Sequence, residues 1–256
     1  MVDQTNHIIQ VESEIDSIVS LVPSQTEMLS YFGLDVETVG ITKFCIHPKE
    51  WYNSKKRIGG TKNIDIEKIR ALNPNLIIAN KEENVASDIE LLRADFTVYT
   101  SDVVTLESAY QMMADVGKLT NRIDKASALI HKIKAGFASL PQINKTVLYL
   151  IWKDPYMAAG TETFINAMLQ SIGLDNCHQK NKRYDEIGLS EIQTLNPDYI
   201  FLSSEPYPFK EKHIAELETK TNSKVILVDG EKFSWYGSRM LSFKSYIENE
   251  LLSKLK

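Results

Sequence analysis

An internal repeat constrains the fold of this chain more than any other feature. Residues 64–83 read IDIEKIRALNPNLIIANKEE, and residues 187–206 read IGLSEIQTLNPDYIFLSSEP. When the Asn-Pro pairs at 73–74 and 196–197 are aligned, apolar positions fall on apolar positions along both segments. Each copy predicts a short amphipathic helix that ends at Asn-Pro, because proline cannot continue a helix. An apolar strand and a polar loop then follow in both copies.

A second, looser repeat precedes the first one. Residues 18–34 and residues 147–174 each run from an apolar strand into a helix that ends at Gly-Leu. Strands that alternate with helices favour parallel α/β sheets. The repeats therefore predict an α/β fold of two Rossmann-like lobes with parallel sheets. Residues 122–139 place apolar side chains at helical spacing and predict one long helix that joins the lobes as the only crossover.

The local patterns give bounds for these elements. The predicted domains are an N-terminal lobe at 1–121, a linking helix at 122–140 and a C-terminal lobe at 141–256. A capping box at Ser24–Glu27 predicts the start of the first helix. The predicted buried strands are Ile18–Val22, Val39–Ile41, Thr97–Tyr99, Val147–Ile151 and Val225–Val228.

Composition excludes several classes of protein. The chain has 256 residues and a net charge of −5, and it has no dense Lys/Arg stretch of the kind that binds nucleic acid. No apolar run reaches the length of a membrane span. The N-terminus shows no secretory signal, which predicts a cytoplasmic protein as the sequence stands, or a periplasmic or cell-surface one if a signal was removed. Cys45 and Cys177 are expected to be reduced thiols, and the protein is expected to be a monomer.

An ordered set of short motifs resembles a known family. The motifs are Val19-Ser20-Leu21-Val22-Pro23-Ser24, Gly33-Leu34, Val39-Gly40-Ile41-Thr42, Ile58-Gly59-Gly60 and Asn73-Pro74. They resemble those of the BtuF-like binding proteins for vitamin B12 and iron-siderophores, the helical-backbone metal receptors that serve ABC importers. The resemblance implies two lobes, a backbone helix and a ligand held in the cleft between the lobes. It also implies a binding protein rather than an enzyme, with a corrinoid such as cobalamin, a ferric siderophore or a haem-type chelate as ligand and no required cofactor.

The resemblance departs from the pattern at one importer-docking position. Docking members of the family carry a glutamate seven residues before the proline of each repeat. Glu67 holds that place before Pro74, whereas Ser190 holds it before Pro197 and Glu191 lies next to it. Glu67 and Glu191 are therefore the candidate docking residues for an ABC importer permease, and Ser190 weakens that partner prediction.

Ligand-binding residues are predicted from sheet topology. In open α/β sheets, ligands bind beyond the carboxyl ends of the strands. Aromatic side chains in these loops suit a large planar or macrocyclic ligand, and polar ones suit its rim. The candidate ligand-binding residues are Ser24, Gln25, Lys43, Phe44, Cys45, Thr61, Lys62, Asn80, Lys81, Trp152, Tyr156, Thr161, Ser204, Glu205, Trp235, Tyr236 and Arg239.

Other chemistry has less support in the sequence. Cys45 and His47 are the candidate metal ligands, but no cluster of further ligands accompanies them, so we predict no protein-bound metal. Glu82-Glu83 and Glu205 are interpreted as solvated loop charges rather than as a catalytic carboxylate pair. Two alternatives to a binding protein stay open: a cytoplasmic enzyme that processes a corrinoid or chelate, and a regulatory protein derived from the binding-protein fold.

Overall fold

The computed structural model describes residues 1–10 and 14–255. The chain forms two compact units, and neither is a single continuous stretch. Unit 1 comprises residues 1–103, 107–132 and 236–239, and unit 2 comprises residues 104–106, 133–235 and 240–256.

Unit 1 is built on a five-stranded sheet in which every pairing is parallel. The strands are β1 (Ile18–Ser20), β2 (Thr38–Ile41), β3 (Lys56–Arg57), β4 (Gly59–Gly60), β5 (Asn63–Ile64), β6 (Leu76–Asn80) and β7 (Val98–Ser101). The order in the sheet is β3-β2-β1-β6-β7, and β4 and β5 form a separate antiparallel pair. The central strands β1 and β6 are buried along their whole length, as expected when helices cover both faces.

Helices connect these strands. They are α1 (Pro23–Tyr31), α2 (Lys49–Ser54), α3 (Ile66–Leu72), α4 (Ala86–Arg93), α5 (Leu106–Leu119) and α6 (Ile123–Phe137). Helix α6 is the predicted linking helix, and the boundary between the two units falls inside it, after Lys132. The chain also passes between the units at residues 104–106 and 236–239, so α6 is not the only crossover.

The predicted capping box at Ser24–Glu27 is wrong. Helix α1 begins one residue earlier, at Pro23, and its N-cap is Val22, which makes no side-chain cap hydrogen bond. Proline suits the first helical position because its fixed φ is already helical and it has no N–H to leave unpaired. Ser24 is consequently inside the helix and is buried.

The internal repeat is confirmed as a structural repeat. Helix α3 ends at Asn73, with a left-handed backbone at φ 43°, and α8 (Leu189–Leu195) ends at Asn196 with φ 44°. Asparagine adopts this conformation more readily than other residues with a side chain. Proline follows in both copies, and the chain then enters β6 or its counterpart in unit 2.

Unit 2 contains a mixed sheet. Its strands are β8 (Lys145–Trp152), β9 (Met157–Ala159), β10 (Leu174–Asn176), β11 (Tyr184–Glu186), β12 (Tyr199–Ser203) and β13 (Lys224–Val228). The order is β11-β9-β8-β12-β13, with β10 paired to β8. Strands β8, β10, β12 and β13 are parallel, as predicted, whereas β9 runs antiparallel to both β8 and β11.

The helices of unit 2 pack around a core centred on β8 and β12. They are α7 (Phe164–Ser171), α8, α9 (Glu211–Glu218), α10 (Gly230–Ser234), a 3-10 turn at Ser238–Ser242, α11 (Phe243–Tyr246), a π-helical turn at Ile247–Leu251 and α12 (Leu252–Leu255). Within the described part of the chain, no helix combines the length and the apolar character that crossing a bilayer requires.

Candidate functional site

The parallel strands of unit 1 bring several polar side chains together at their carboxyl ends. Asn80 is the last residue of β6 and Ser101 is the last residue of β7. The Asn80 amide donates to the Ser101 hydroxyl at 3.0 Å, and the Gln25 amide, from the start of α1, donates to the same hydroxyl at 2.6 Å. All three residues are buried. The predicted residues Gln25 and Asn80 therefore form an internal network that fixes this edge of the sheet.

Tyr236 completes this network from a distant part of the chain. Its hydroxyl interacts with Gln25, Ser101 and Ser24, and its side chain is only 6% exposed. Burial raises the pKa of Tyr236, and the charge of Glu83 adds to that shift. Tyr236 is therefore a neutral phenol that anchors its segment to unit 1.

Arg239 and Glu27 hold the other end of that segment. The guanidinium contacts both carboxylate oxygens at 3.0 Å, in a bidentate ion pair. Gly237 lies between the two anchors with φ +92°, and a Cβ there would lie 3.3 Å from the Met28 side chain. The sequence prediction placed residues 236–239 with the C-terminal lobe, but the structure places them in unit 1. Arg239 is thus already paired within the protein.

The loop after β2 exposes one aromatic side chain and buries its neighbour. Phe44 is 51% exposed, whereas Cys45 is fully buried. The Cys45 thiol lies 3.1 Å from the hydroxyls of both Thr26 and Thr42. Burial raises the pKa of Cys45, so the thiol stays protonated. Cys45 is consequently an internal anchor of the loop that presents Phe44.

The two candidate metal ligands, Cys45 and His47, lie in the loop after β2. The Cys45 thiol is hydrogen bonded to hydroxyl groups, and His47 is half-buried two residues further along. In the two described stretches of the chain, no group of three or more His, Cys, Asp or Glu side chains converges on a point where a metal ion could be held.

The backbone at Gly60 lies close to the exposed Phe44 side chain. A Cβ at Gly60 would lie 3.1 Å from the Phe44 ring and 3.2 Å from the Lys43 side chain, so a larger residue would require these side chains to shift by a few tenths of an ångström. The Lys43 ammonium lies 5.1 Å from the centroid of the Phe44 ring. Such a contact holds the cation beside the aromatic surface.

The predicted lysines of unit 1 differ in their availability. Lys81 forms an ion pair with Asp102 at 2.6 Å, and the Lys62 ammonium donates to the Glu82 carbonyl. Among the residues that the structure describes, Lys43 makes no ion pair and is exposed. Lys43 and Lys62 are therefore the exposed predicted lysines of this edge that form no ion pair with a carboxylate of the described chain. Thr61, in the turn between β4 and β5, is half-buried, and its carbonyl accepts from Asn84 at 3.1 Å.

The loop after β6 gives a result that the sequence interpretation missed. Its backbone is closed by the Asn80 carboxamide oxygen, which accepts from the N–H groups of Glu82 and Glu83 at 2.9 and 3.0 Å. This turn leaves Glu83 half-buried, and burial raises the pKa of its carboxyl group. The interpretation of Glu83 as a solvated loop charge is wrong. The spacing Asn80 to Asn84 was the available signal, since asparagine side chains commonly close such turns.

The carboxyl ends of β8 and β12 present an aromatic surface on unit 2. Trp152 is 40% exposed, and its ring packs edge-on against Tyr207 with a centroid distance of 5.6 Å. Tyr207 packs in turn against Phe209 at 4.7 Å. Trp152 was predicted as a ligand-binding residue, whereas its support by Tyr207 was not.

Glu205 and Trp235 form an internal pair in unit 2. The Glu205 carboxylate accepts from the Trp235 indole N–H at 3.0 Å and from the Ser234 hydroxyl at 2.9 Å. Trp235 is 8% exposed. Ser204, the next predicted residue, is exposed and accepts from the backbone N–H of Gly230 at 2.9 Å. Glu205 and Trp235 therefore shape this edge, and Ser204 remains accessible.

Tyr156 lies in the turn between β8 and β9 and is half-buried. Its hydroxyl is 3.5 Å from Glu216, which also forms an ion pair with Lys153. Burial, followed by the negative charge of Glu216, raises the pKa of Tyr156.

Thr161 does not lie at this edge. It follows β9, which runs antiparallel to β8, so the carboxyl end of β9 points toward the opposite edge of the sheet. Its hydroxyl donates to the Asn181 carbonyl at 3.0 Å, and its backbone pairs with Lys182. The rule that placed Thr161 among the candidate residues applies to parallel strands, and β9 is antiparallel to β8.

The candidate docking residues lie on the equivalent helices α3 and α8. Glu67 is exposed and pairs with Arg70 at 2.8 Å. Glu191 lies in the first turn of α8 and is exposed, as is Ser190 beside it. The repeat thus gives each unit one exposed glutamate near the start of the corresponding helix.

The sequence matches the family model described as periplasmic binding protein over residues 18–229. This match covers most of the chain, and the chain therefore belongs to the periplasmic binding protein family. The family resemblance predicted from the motifs is confirmed, as are the two-lobed α/β fold and the interpretation of the chain as a ligand-binding protein of the transport type.

Three known proteins illustrate the similarity. An uncharacterized ABC transporter substrate-binding lipoprotein, YvrC of Bacillus subtilis strain 168, is 30% identical over 216 residues, which cover 77% of this chain and 67% of that protein. The crystal structure of a possible iron-binding, periplasmic solute-binding protein from Staphylococcus epidermidis ATCC 12228 matches with a TM-score of 0.78 at 23% identity, over 93% of this chain and 99% of that one. The periplasmic vitamin B12 binding protein BtuF of Vibrio cholerae matches with a TM-score of 0.77 at 20% identity, over 94% and 98%. At such low identities the two structures show a shared fold.

Proposed function

We propose that this protein binds a corrinoid of the cobalamin type at the carboxyl-end loops of its sheets. The observation that carries the proposal is that each unit exposes an aromatic side chain at these loops: Phe44 in unit 1, beside Gly60, and Trp152 in unit 2, packed against Tyr207. Large aromatic side chains are normally covered because their exposure to water is unfavourable. Exposed aromatic side chains at ligand-binding loops suit a large ring-shaped ligand.

Accessible polar groups beside these aromatic side chains support the proposal. Lys43 and Thr61 lie near Phe44 on the edge of unit 1, and Ser204 follows β12 in unit 2. They are the groups of the predicted set that remain available for the polar rim of a ligand. Other predicted residues hold the loops in place through internal contacts and do not reach the ligand themselves. They are Gln25, Cys45, Trp235, Tyr236 and Arg239.

The names of the relatives support the same ligand class. BtuF of Vibrio cholerae is a vitamin B12 binding protein, and the protein from Staphylococcus epidermidis is described as possibly iron-binding. A ferric siderophore is therefore the second candidate ligand.

A titration panel tests the ligand class. Cyanocobalamin, cobinamide, haem and a ferric hydroxamate siderophore are added separately to the purified protein, and tryptophan fluorescence is recorded after correction for absorption by the ligand. We expect the two corrinoids to saturate a quenching signal, because Trp152 lies at the proposed surface. A response to the siderophore alone would replace the corrinoid by the second candidate, and no saturable response at all would overturn the proposal.

The ligand is proposed to leave the protein chemically unchanged, as expected of a family of binding proteins. Mass spectrometry of cyanocobalamin before and after prolonged incubation with the protein tests this. An unchanged mass and full recovery are expected, whereas a new corrinoid species would favour the processing enzyme.

The partner is proposed to be an ABC importer permease that contacts Glu67 and Glu191. The Glu67→Ala and Glu191→Ala variants should each weaken stimulation of the importer's ATPase activity several-fold, and Glu250→Ala, an exposed glutamate at the C-terminus, should not. Equal stimulation of the ATPase activity by all three variants would show that Glu67 and Glu191 do not contact the importer.

The proposed cellular location of the protein follows from the proposed importer partner. YvrC is described as a lipoprotein and BtuF as periplasmic, and we propose an extracytoplasmic location for this chain on that basis. Fractionation of cells that express the native gene tests it. Recovery in the cytoplasmic fraction would overturn the importer part of the proposal and leave ligand binding to be judged by the titration.

A further inference from the structure

Glu83 differs from the other acidic groups near the proposed ligand-binding edges. It lies in the loop after β6, between the two asparagines that close the turn. The backbone N–H of Glu83 donates to Asn80, which fixes the direction of the residue. Its side chain is half-buried and so keeps some access to solvent.

Among the residues that the structure describes, no donor is hydrogen bonded to the Glu83 carboxylate. In contrast, Glu27 receives a bidentate arginine, and Glu205 receives an indole N–H and a hydroxyl. A partly buried carboxylate loses part of its hydration, and where no protein donor replaces that hydration the ionised form is disfavoured. Three residues of the described chain thus donate to Glu27 and Glu205, and none donates to the Glu83 carboxylate.

The charged groups around Glu83 do not supply a hydrogen-bond donor to its carboxylate. In addition to burial, the negative charge of Glu82 raises the pKa of Glu83, and the positive charge of Lys62 lowers it. The charge of Glu83 in turn adds to the effect of burial and raises the pKa values of Cys45 and Tyr236. Lys62 donates to the backbone carbonyl of Glu82 rather than to the Glu83 carboxylate. No donor of the described chain is hydrogen bonded to the Glu83 carboxylate, which keeps access to solvent, so a ligand bound at this edge can reach it.

We propose that Glu83 is a ligand-binding residue that accepts hydrogen bonds from N–H donors on the ligand, and that it selects amide-bearing corrinoids against carboxylate-bearing ligands. This inference rests on the proposed function. An amide N–H would supply the donor that the fold omits, whereas a carboxylate of the ligand would meet Glu83 with like charge. Haem, with its two propionates, and a corrinoid with a hydrolysed amide both belong to the disfavoured class.

A pH dependence follows from the same geometry. Burial, then the charge of Glu82, raises the pKa of Glu83, while Lys62 lowers it. N–H donors favour the ionised form, so affinity for an amide-bearing corrinoid should be highest above this raised pKa and should fall as the pH drops through it. Burial raises the pKa values of Cys45 and Tyr236, so both keep their protons at neutral pH and do not contribute to the change.

The test compares wild-type protein with Glu83→Gln, which keeps the shape and removes the charge. Glu107→Gln, an exposed glutamate of α5, is the matched control. The probes are cyanocobalamin and its monocarboxylic acids, each with one side-chain amide hydrolysed. For wild-type protein and the control, we expect at least one acid to bind about ten-fold more weakly than cyanocobalamin, as for loss of a hydrogen bond to a charged group. In Glu83→Gln this gap should shrink to about three-fold or less.

The outcomes separate the inference from the proposed function. If Glu83→Gln binds cyanocobalamin and discriminates against the acids as wild-type protein does, the role of Glu83 is overturned and corrinoid binding stands. If wild-type protein binds none of the corrinoids, both fail. A second measurement does not depend on a variant: the affinity of wild-type protein for cyanocobalamin between about pH 4.5 and 8 should fall at the acid end, and a flat profile would contradict the inference.

Discussion

Phe44 and Cys45 are adjacent in the chain and have opposite surroundings. The Phe44 side chain is 51% exposed, whereas the Cys45 thiol is buried beside the hydroxyls of Thr26 and Thr42. Phe44 is therefore available to contact a ligand and contributes little to the stability of the protein, whereas Cys45 holds the loop in place.

Replacing Phe44 by alanine should weaken corrinoid binding about three- to ten-fold, which is the usual contribution of an aromatic contact beyond area. The free energy of unfolding should change little, since about half of the Phe44 side chain is exposed to solvent. Isothermal titration calorimetry measures the affinity. Tyr31→Ala, at an aromatic residue that is 40% exposed at the far end of α1, is the control and should bind as wild type. Equal affinities for both variants would remove Phe44 from the site.

The Cys45 thiol should be unreactive in the native protein. It is fully buried and its pKa is raised by burial, so the thiolate that reacts with disulfide reagents is scarce. With Cys177→Ala as background, a chromogenic disulfide should label Cys45 only at the rate of unfolding. Rapid labelling at pH 8 in the absence of denaturant would show that the loop opens and that Cys45 is not its anchor.

At the scale of single residues, the sequence identified the loops of the candidate ligand site better than it identified which residues of those loops are exposed and which are buried. It placed Phe44 and Trp152 at the ligand edge, because both follow recognisable strands. It could not separate Phe44 from Cys45, because one peptide unit decides which side chain faces the core. That choice depends on contacts such as Thr26 with Cys45, which are distant along the sequence.

Among the elements, helices α3 and α8 end in the same way, and their caps can be tested as a pair. Asn73 and Asn196 have a left-handed backbone, which costs a residue with Cβ about 1–2 kcal/mol unless asparagine or glycine occupies it. We expect Asn73→Ala and Asn196→Ala each to lower the free energy of unfolding by about 1 kcal/mol, and the corresponding glycine variants to be close to wild type. Urea denaturation measures this. If alanine and glycine variants are equally destabilised, backbone conformation is not the cause.

Asp198 ties the start of β12 to the start of β8. Its carboxylate accepts from the Thr146 backbone N–H and hydroxyl at 2.8 Å and from Lys145 at 2.9 Å, and the Thr146 N–H followed by Lys145 lowers its pKa to about 2. A depressed pKa means that the stabilisation is complete above the unfolded value near 4 and is lost as the pH falls toward 2.

Asp198→Asn should therefore destabilise the protein at pH 7 by about 1 kcal/mol, a value reduced because the group is exposed to solvent. The difference from wild type should shrink as the pH approaches 2. Thermal unfolding across this range gives the comparison, with Asp175→Asn, an exposed aspartate of β10, as the control. A difference that is constant with pH would show that the charge of Asp198 is not involved.

The element predictions failed where two signals competed. At the start of α1, Ser24 and Glu27 have the spacing of a capping box, but Pro23 begins the helix and places Ser24 inside it. After β9, the loop that contains Thr161 follows a strand whose direction is set by a tight turn from β8. Neither the sense of a short strand nor the start of a helix is fixed by spacing alone.

At the scale of the whole molecule, the internal repeat was sufficient to predict two α/β lobes. It could not predict that residues 236–239 belong to unit 1, because this depends on the Arg239–Glu27 ion pair across 212 residues of sequence. A fragment that stops after Lys132 lacks this segment and leaves Glu27 and Gln25 without it. The two units are therefore not independent stretches of chain.

The measurement that tests the central claim most directly is calorimetric titration of the intact protein with cyanocobalamin, together with its melting temperature. We expect saturation at about one ligand per chain with a Kd of about 1 μM or below. At a free ligand concentration about 100 times the Kd, the stabilisation of about 2.7 kcal/mol should raise the melting temperature by roughly 5–10 °C. No heat of binding and no change in melting temperature with cyanocobalamin would contradict the claim that this protein is a corrinoid-binding member of its family.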